Sequence, residues 1–141
     1  MDILVDVNIL VALADAAHLH QDRVRKWFNR LPPKAKLLVC RTAQMGLLRL
    51  LVSSSVMKEQ VFSLREAWAF YGNLLQNPSI SEVKEPDRIQ EVWAYLCFDF
   101  GTSPKVVTDA YLAAFAISGG FKLVSLDKGF RKFEGLDLIE P

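Results

Sequence analysis

The chain opens with a short apolar run, Ile3-Leu4-Val5, and no polar residue interrupts it. An unbroken run of this length suits a strand covered on both faces, because a half-exposed strand alternates apolar and polar positions. The segment Lys36-Leu37-Leu38-Val39-Cys40 and the segment Leu123-Val124-Ser125 read the same way. Shorter strands are expected at 80–83 and 136–139. The intervening residues follow helical spacing at 8–14 and at 20–31, where an amphipathic pattern stops at Pro32-Pro33. Thr42 is expected to cap a helix over 43–52, which Ser53-Ser54-Ser55 breaks. Ser63 starts a helix reaching about residue 76, with Leu64, Ala67, Trp68, Tyr71, Leu74 and Leu75 as its apolar stripe. Residues 87–98 also read as helix and 101–105 as loop. A long helix is then expected over 106–118, closed by Gly119-Gly120, where glycine supplies a positive φ.

Strands alternating with helices imply an α/β fold of three layers, with a short, mainly parallel sheet wrapped on both faces. No repeat, low-complexity stretch or linker-like tract divides the chain, so residues 1–141 are expected to form one domain. Hydrophobic residues make up 51% and charged residues 23%, a globular mix able to build a core. No apolar run approaches the ~18–20 residues that span a bilayer. The amino terminus also lacks the basic start and cleavage site of a secretory signal. A cytoplasmic protein is expected, with Cys40 and Cys97 as free thiols in apolar segments.

Net charge is only +1, which does not mark the chain as a nucleic-acid binder by bulk charge. The distribution is uneven, however. Arg23, Arg25, Lys26, Arg30, Lys34 and Lys36 form an acid-free stretch that a solvated helix face explains. Lys122, Lys128, Arg131 and Lys132 surround Asp127.

In folds of this class, ligands bind beyond the carboxyl ends of the strands. Asp6 follows the first strand, Gln44 lies just past the second, and Asp127 follows the strand at 123–125. Asp109 is expected in the first turn of the long, otherwise apolar helix. Each has an ordinary alternative: Asp6 or Asn8 as a helix cap, Asp109 as a helix-dipole partner, Asp127 as a turn opener. Together they fit a different chemistry. Carboxylates converging in apolar surroundings are costly to ionise and repel one another. A hard divalent cation relieves both problems, and acids without a Cys or His cluster favour Mg²⁺ or Mn²⁺ over Zn²⁺. His18 and His20 form a His-x-His pair without a cysteine partner and are assigned to the entry of the second helix.

Four blocks carry a resemblance that spans nearly the whole chain. They are Leu4-Val5-Asp6-Val7-Asn8-Ile9-Leu10, Cys40-Arg41-Thr42-Ala43-Gln44 with Leu47-Leu48-Arg49-Leu50-Leu51, Thr108-Asp109-Ala110-Tyr111-Leu112-Ala113, and Leu123-Val124-Ser125-Leu126-Asp127-Lys128-Gly129-Phe130. In this order they resemble the PIN domains, in particular the VapC-type toxins of bacterial toxin–antitoxin pairs. The resemblance implies a Mg²⁺- or Mn²⁺-dependent endoribonuclease acting on structured RNA such as transfer RNA. Asp6 and Asp109 would be the metal ligands, Asp127 a further acid, and Asn8 and Ser125 residues that orient the site. It also implies a homodimer and a small VapB-like antitoxin partner. Gln44 departs from the family pattern, which has Glu there, and Ser125 stands where Thr is commoner. Lys128 and Arg131, flanking Asp127, are the expected contacts to the RNA backbone. The helices around Trp27 and Trp68 are the expected faces of self-association.

A haloacid-dehalogenase-like phosphatase also places an Asp after its first strand, but it needs a second Asp where Asn8 stands. A receiver domain would need paired acids near the first strand and an acceptor Asp after a middle strand, and neither occurs. The non-enzyme alternative is a degenerate domain that binds RNA or an antitoxin without cutting, for which Gln44 is the argument.

Overall fold

Each apolar run becomes a strand of one sheet in the computed structural model, which describes residues 1–15 and 18–141. The strands are β1 (Asp2–Val5), β2 (Lys36–Val39), β3 (Ile80–Glu82), β4 (Lys122–Val124) and β5 (Leu138–Ile139). They lie in the order β3-β2-β1-β4-β5, and every neighbouring pair is parallel. β1 is the central strand, and Ile3, Leu4 and Val5 are wholly buried. Burial of one such side chain is worth about 1.5–3 kcal/mol, so the pure apolar run is what a middle strand demands.

The helices are α1 (Val7–Ala14), α2 (Gln21–Asn29), α3 (Arg41–Leu51), α4 (Ser54–Met57), α5 (Leu64–Leu74), α6 (Ile89–Cys97) and α7 (Pro104–Gly119). They flank the sheet, as the alternating pattern requires. Packing brings α1 against α2 and α3, and α7 against α6 and β4. Gly46 permits the close approach of α3 to α1, since a Cβ there would sit 3.2 Å from the Val7 side chain. Among the described residues no helix is long and apolar enough to cross a membrane.

From β1 the chain builds outward to β2 and β3, then returns to place β4 on the other side of β1. This reversal opens a crevice between the carboxyl ends of β1 and β4, the usual location of a ligand site in open parallel sheets.

Several boundaries differ from expectation. α3 starts at Arg41 with Cys40 as its N-cap, so Thr42 lies inside the helix, its hydroxyl 3.2 Å from the Cys40 sulfur. The serine triplet ends α3 but also starts the short α4. α7 begins at Pro104, because proline's missing N–H costs nothing at the first helical position. Asp109 therefore lies in the second turn, and Lys105 in the first. Ser63 does cap α5, in a reciprocal capping box with Glu66. Only part of the α5 stripe is covered, however. Ala67 and Tyr71 are buried, whereas Leu64 and Trp68 are 65% and 55% exposed.

Candidate active site: carboxylates at the β1–β4 crevice

Asp6 is the first residue past β1, and its backbone N–H extends the β1–β4 pairing by donating to Val124 at 3.1 Å. Its side chain also caps α1, with Oδ1 accepting from the Val7 N–H at 2.7 Å. The capping and site readings of Asp6 therefore coincide. Oδ2 accepts from the Ser125 hydroxyl at 2.7 Å and from the Asn8 amide at 3.2 Å. A carboxylate has about four acceptor positions, and these donors leave one on Oδ1 for a further partner.

Ser125 is wholly buried one residue beyond β4. Its hydroxyl accepts from the Asp127 N–H at 2.9 Å and from the Asn8 amide at 3.2 Å while donating to Asp6. Asn8 completes the lattice by accepting from the Leu126 N–H at 3.1 Å. Through these bonds Asn8 and Ser125 lock the loop after β4 to the start of α1. Asp127 opens a 3₁₀ turn, accepting from the Gly129 N–H at 2.8 Å. A side chain on Gly129 would meet that same Asp127 oxygen at 2.9 Å, so glycine preserves the turn.

Asp109 comes from α7 and lines a cavity of about 220 Å³ together with Asp6, Val7, Thr42, Ala43 and Phe130. Lys105, one helical turn before it, reaches across to Asp127 at 2.9 Å and stands 3.7 Å from Asp109. Asp6, Asp109 and Asp127 thus share one electrostatic neighbourhood. Burial pushes the Asp6 carboxyl above its ordinary range, and repulsion from Asp109 and Asp127 adds to this, against the pull of Ser125 and Val7. Burial also raises Asp109, with Lys105 opposing. Asp127 moves the other way, lowered by its hydrogen bonds from Lys105 and Gly129.

This donor set suits a hard divalent cation. Among the described residues no three His, Cys, Asp or Glu side chains form a closed metal cluster. Mg²⁺, however, is usually held by one or two carboxylates and keeps several waters. Asp6 and Asp109 present carboxylate oxygens to one cavity, and Lys105 brings a positive charge to Asp109 and Asp127.

The remaining expected residues fall elsewhere. Gln44 is buried on α3, yet it lines the neighbouring cavity, and its amide oxygen accepts from Arg41. Arg131 pairs with both oxygens of Glu140 at the surface. Lys128 is exposed beside Asp127. His18 and His20 lie together at the entry of α2, with the His18 ring accepting from the His20 N–H. One site residue escapes the sequence reading: Lys105 reads as loop, although Ser103-Pro104 signals a helix start. Lys132, of the basic cluster expected around Asp127, stands close enough to lower both Asp109 and Asp127.

A family profile described as the PIN domain matches residues 3–136. Ribonuclease VapC41 of Mycobacterium tuberculosis is 37% identical over 140 residues, covering 96% of each chain. Among solved structures, VapBC2 of Rickettsia felis bound to a promoter DNA fragment superimposes with a TM-score of 0.74. That match covers 100% of this chain and 99% of the other at 15% identity. VapC20 of Mycobacterium tuberculosis, a toxin that cleaves the sarcin–ricin loop, gives a TM-score of 0.67 at 17% identity, covering 96% and 98%. At such identities the structural matches speak for the fold.

Proposed function

The chain belongs to the PIN-domain family, and on that premise we propose that it is the ribonuclease toxin of a toxin–antitoxin pair. In this reading residues 1–141 work as one unit in the cytoplasm, cut structured RNA such as transfer RNA, and are restrained by a VapB-like antitoxin. The observation that carries the reading is the joining of Asp6, Asp109 and Asp127 at the β1–β4 crevice, with Asp6 and Asp109 on one cavity.

Asp6 and Asp109 would hold one Mg²⁺ or Mn²⁺, with Asp127 as a further acid. Such an ion supplies a hydroxide at neutral pH and offsets charge on a phosphate in flight. Asn8 and Ser125 keep Asp6 in its orientation. Lys105 and Lys132, with Lys128 at the rim, offer positive charge to the RNA backbone. A transfer-RNA pool incubated with Mg²⁺, with Mn²⁺ and with EDTA tests the reading. Cleavage is expected only with metal, and a protein that cuts nothing in either metal would overturn it. The hydrogen bond tying Gln44 to Arg41 favours the second reading, a domain that binds RNA or an antitoxin without cutting. That reading predicts RNA binding without products.

Metal should also act on stability in a pH-dependent way. Asp6 and Asp109 bind protons more tightly folded than in their ordinary range near 3.8. Their metal-free contribution to stability is therefore greatest below that value and declines as pH rises through the raised folded values. Added Mn²⁺ competes with those protons, so its stabilising effect should grow with pH across the acid range. Melting curves with and without Mn²⁺ from pH 4 to 7 read this directly; an equal Mn²⁺ effect at every pH would contradict it. Lys105 is two-thirds exposed, and an exposed ion pair is worth only ~0.2–1 kcal/mol. Lys105→Met should accordingly tighten Mn²⁺ binding about threefold, measured by calorimetry.

Homodimerisation forms part of the proposal. Trp27 packs partly against the core, which leaves the α5 face of Leu64 and Trp68 as the open one. Trp68→Glu should convert a dimer to a monomer in light scattering at micromolar concentration. A wild-type protein that is already monomeric would remove this part of the reading.

A further inference from the structure

Beside the acidic cavity lies a second one of about 230 Å³, built from the same two helices. Thr42 and Ala43 of α3 face the first, whereas Arg41 and Gln44 line the second. On α7, Asp109 and Leu112 face the first, while Tyr111 and Phe115 line the second. Successive helical residues rise only ~1.5 Å, so the two cavities are immediate neighbours. We propose that the second cavity is a subsite for one unpaired nucleobase bearing an amino group, next to the phosphate that is cut. The proposal rests on the ribonuclease reading and deepens it.

The chemistry of the walls selects this occupant. Val83 and the Tyr111 ring, both half-buried, give an apolar wall suited to a flat ring, backed by the buried Val39 and Phe115. Glu82 and Glu85 stand at the rim, each with one carboxylate oxygen tied by a tyrosine. Tyr71 donates to Glu82 at 2.8 Å, and Tyr111 donates to Glu85 at 3.2 Å. Burial and the neighbouring Glu85 push the Tyr111 hydroxyl up to about 12, and Tyr71 is raised as well, so both remain donors at neutral pH. The carboxylates are thereby oriented, and each keeps a second oxygen to accept from an N–H group.

Other occupants fit less well. A phosphate would meet Arg41 and Lys84, but Glu82 and Glu85 cancel their charge and leave the cavity without a net attraction for an anion. A second metal ion would meet the Arg41 guanidinium, and the Gln44 amide oxygen already accepts from Arg41. A neutral ring that donates two N–H groups to the carboxylates and accepts from Arg41 or Lys84 satisfies both signs of charge. Adenine, guanine and cytosine carry an amino group with two N–H donors; uracil offers only its ring N–H, flanked by carbonyl oxygens that would face the second carboxylate. Proteins that read RNA sequence do so mainly on unstacked bases held this way.

The test uses the full chain and two readouts. Cleavage of a library of RNA stem-loops with randomised loop residues in Mg²⁺ should show uridine disfavoured at one position beside the cut, by about tenfold, within the range for one well-placed base contact. Glu85→Gln and Arg41→Ala, both at exposed positions, should reduce that bias to under about twofold, whereas Asp109→Asn abolishes cutting at all sites. The second readout needs no cleavage. Trp93 packs against Tyr111 with ring centroids 5.1 Å apart, so its indole N–H signal in NMR reports on the cavity. AMP, GMP or CMP should shift that signal saturably in wild type and not in Glu85→Gln, and UMP should leave it in place. Selective shifts without any RNA cleavage would sink the ribonuclease reading and keep the subsite. Cleavage without uridine bias, or equal shifts from all four nucleotides, would overturn the subsite and leave the ribonuclease reading standing.

Discussion

Asp109→Asn should lower single-turnover RNA cleavage by about 10²–10³ while the protein stays folded. Asn keeps the shape of the side chain and removes its charge. In wild type that carboxyl is already raised by burial, so neutralising it relieves an unfavourable charge and should not lower the melting temperature. Metal affinity should fall, because one of two carboxylates facing the cavity is lost. RNA affinity should change far less, since phosphate contacts come from lysine and arginine and are governed mainly by salt. Rapid-quench cleavage of a transfer-RNA pool and RNA binding at fixed salt separate these effects. A variant that cuts at the wild-type rate would show that Asp109 is not in the active site.

Ser125→Ala should be costly in both stability and activity, although it removes a single oxygen. That hydroxyl is wholly buried and joins Asp6, Asn8 and the Asp127 N–H. Its loss leaves buried polar groups short of a partner, each costing ~1–3 kcal/mol when unsatisfied. Relaxation reduces the sum, and a net loss of about 2–3 kcal/mol is expected. For a chain of this length that corresponds to a melting temperature lower by roughly 5–10 °C. Asp6 also loses the donor that fixes its orientation. Groups that support a metal ligand in this way commonly carry ~10–100-fold in affinity or activity. Ser125→Thr keeps the hydroxyl and should recover most of the cleavage, even if the extra methyl costs some stability. Calorimetric melts and cleavage rates on both variants test the pair. Equal behaviour of Ala and Thr would show that packing at residue 125 matters and the hydrogen bonds do not.

What could be read in the sequence is what depends on neighbours along the chain. Ile3-Leu4-Val5 and Leu37-Leu38-Val39 announce buried strands because burial on both faces excludes polar residues locally. Asp6 and Asp127 were placed at the carboxyl edge simply because each follows a strand. The Ser63–Glu66 capping box is equally local, since both partners lie within one helical turn. Composition and pattern alone do not order the strands, and the reversal that sets β4 beside β1 is a matter of how the sheet packs. The same holds for the bonds that make the site. Ser125 reaches Asp6 across 119 residues, and Lys105 reaches Asp127 across 22. No periodicity encodes such pairs, because their energy exists only once the elements have docked. The pairing of Arg131 with Glu140, next to β5, is likewise invisible along the chain. Gln44 stood in the position of a metal-binding acid, but the early start of α3 put Arg41 one turn before it, where its amide oxygen is taken. The chain sequence thus determined which residues sit at the strand ends, whereas the packing of α3, α7 and the β4 loop decided which of them face one another.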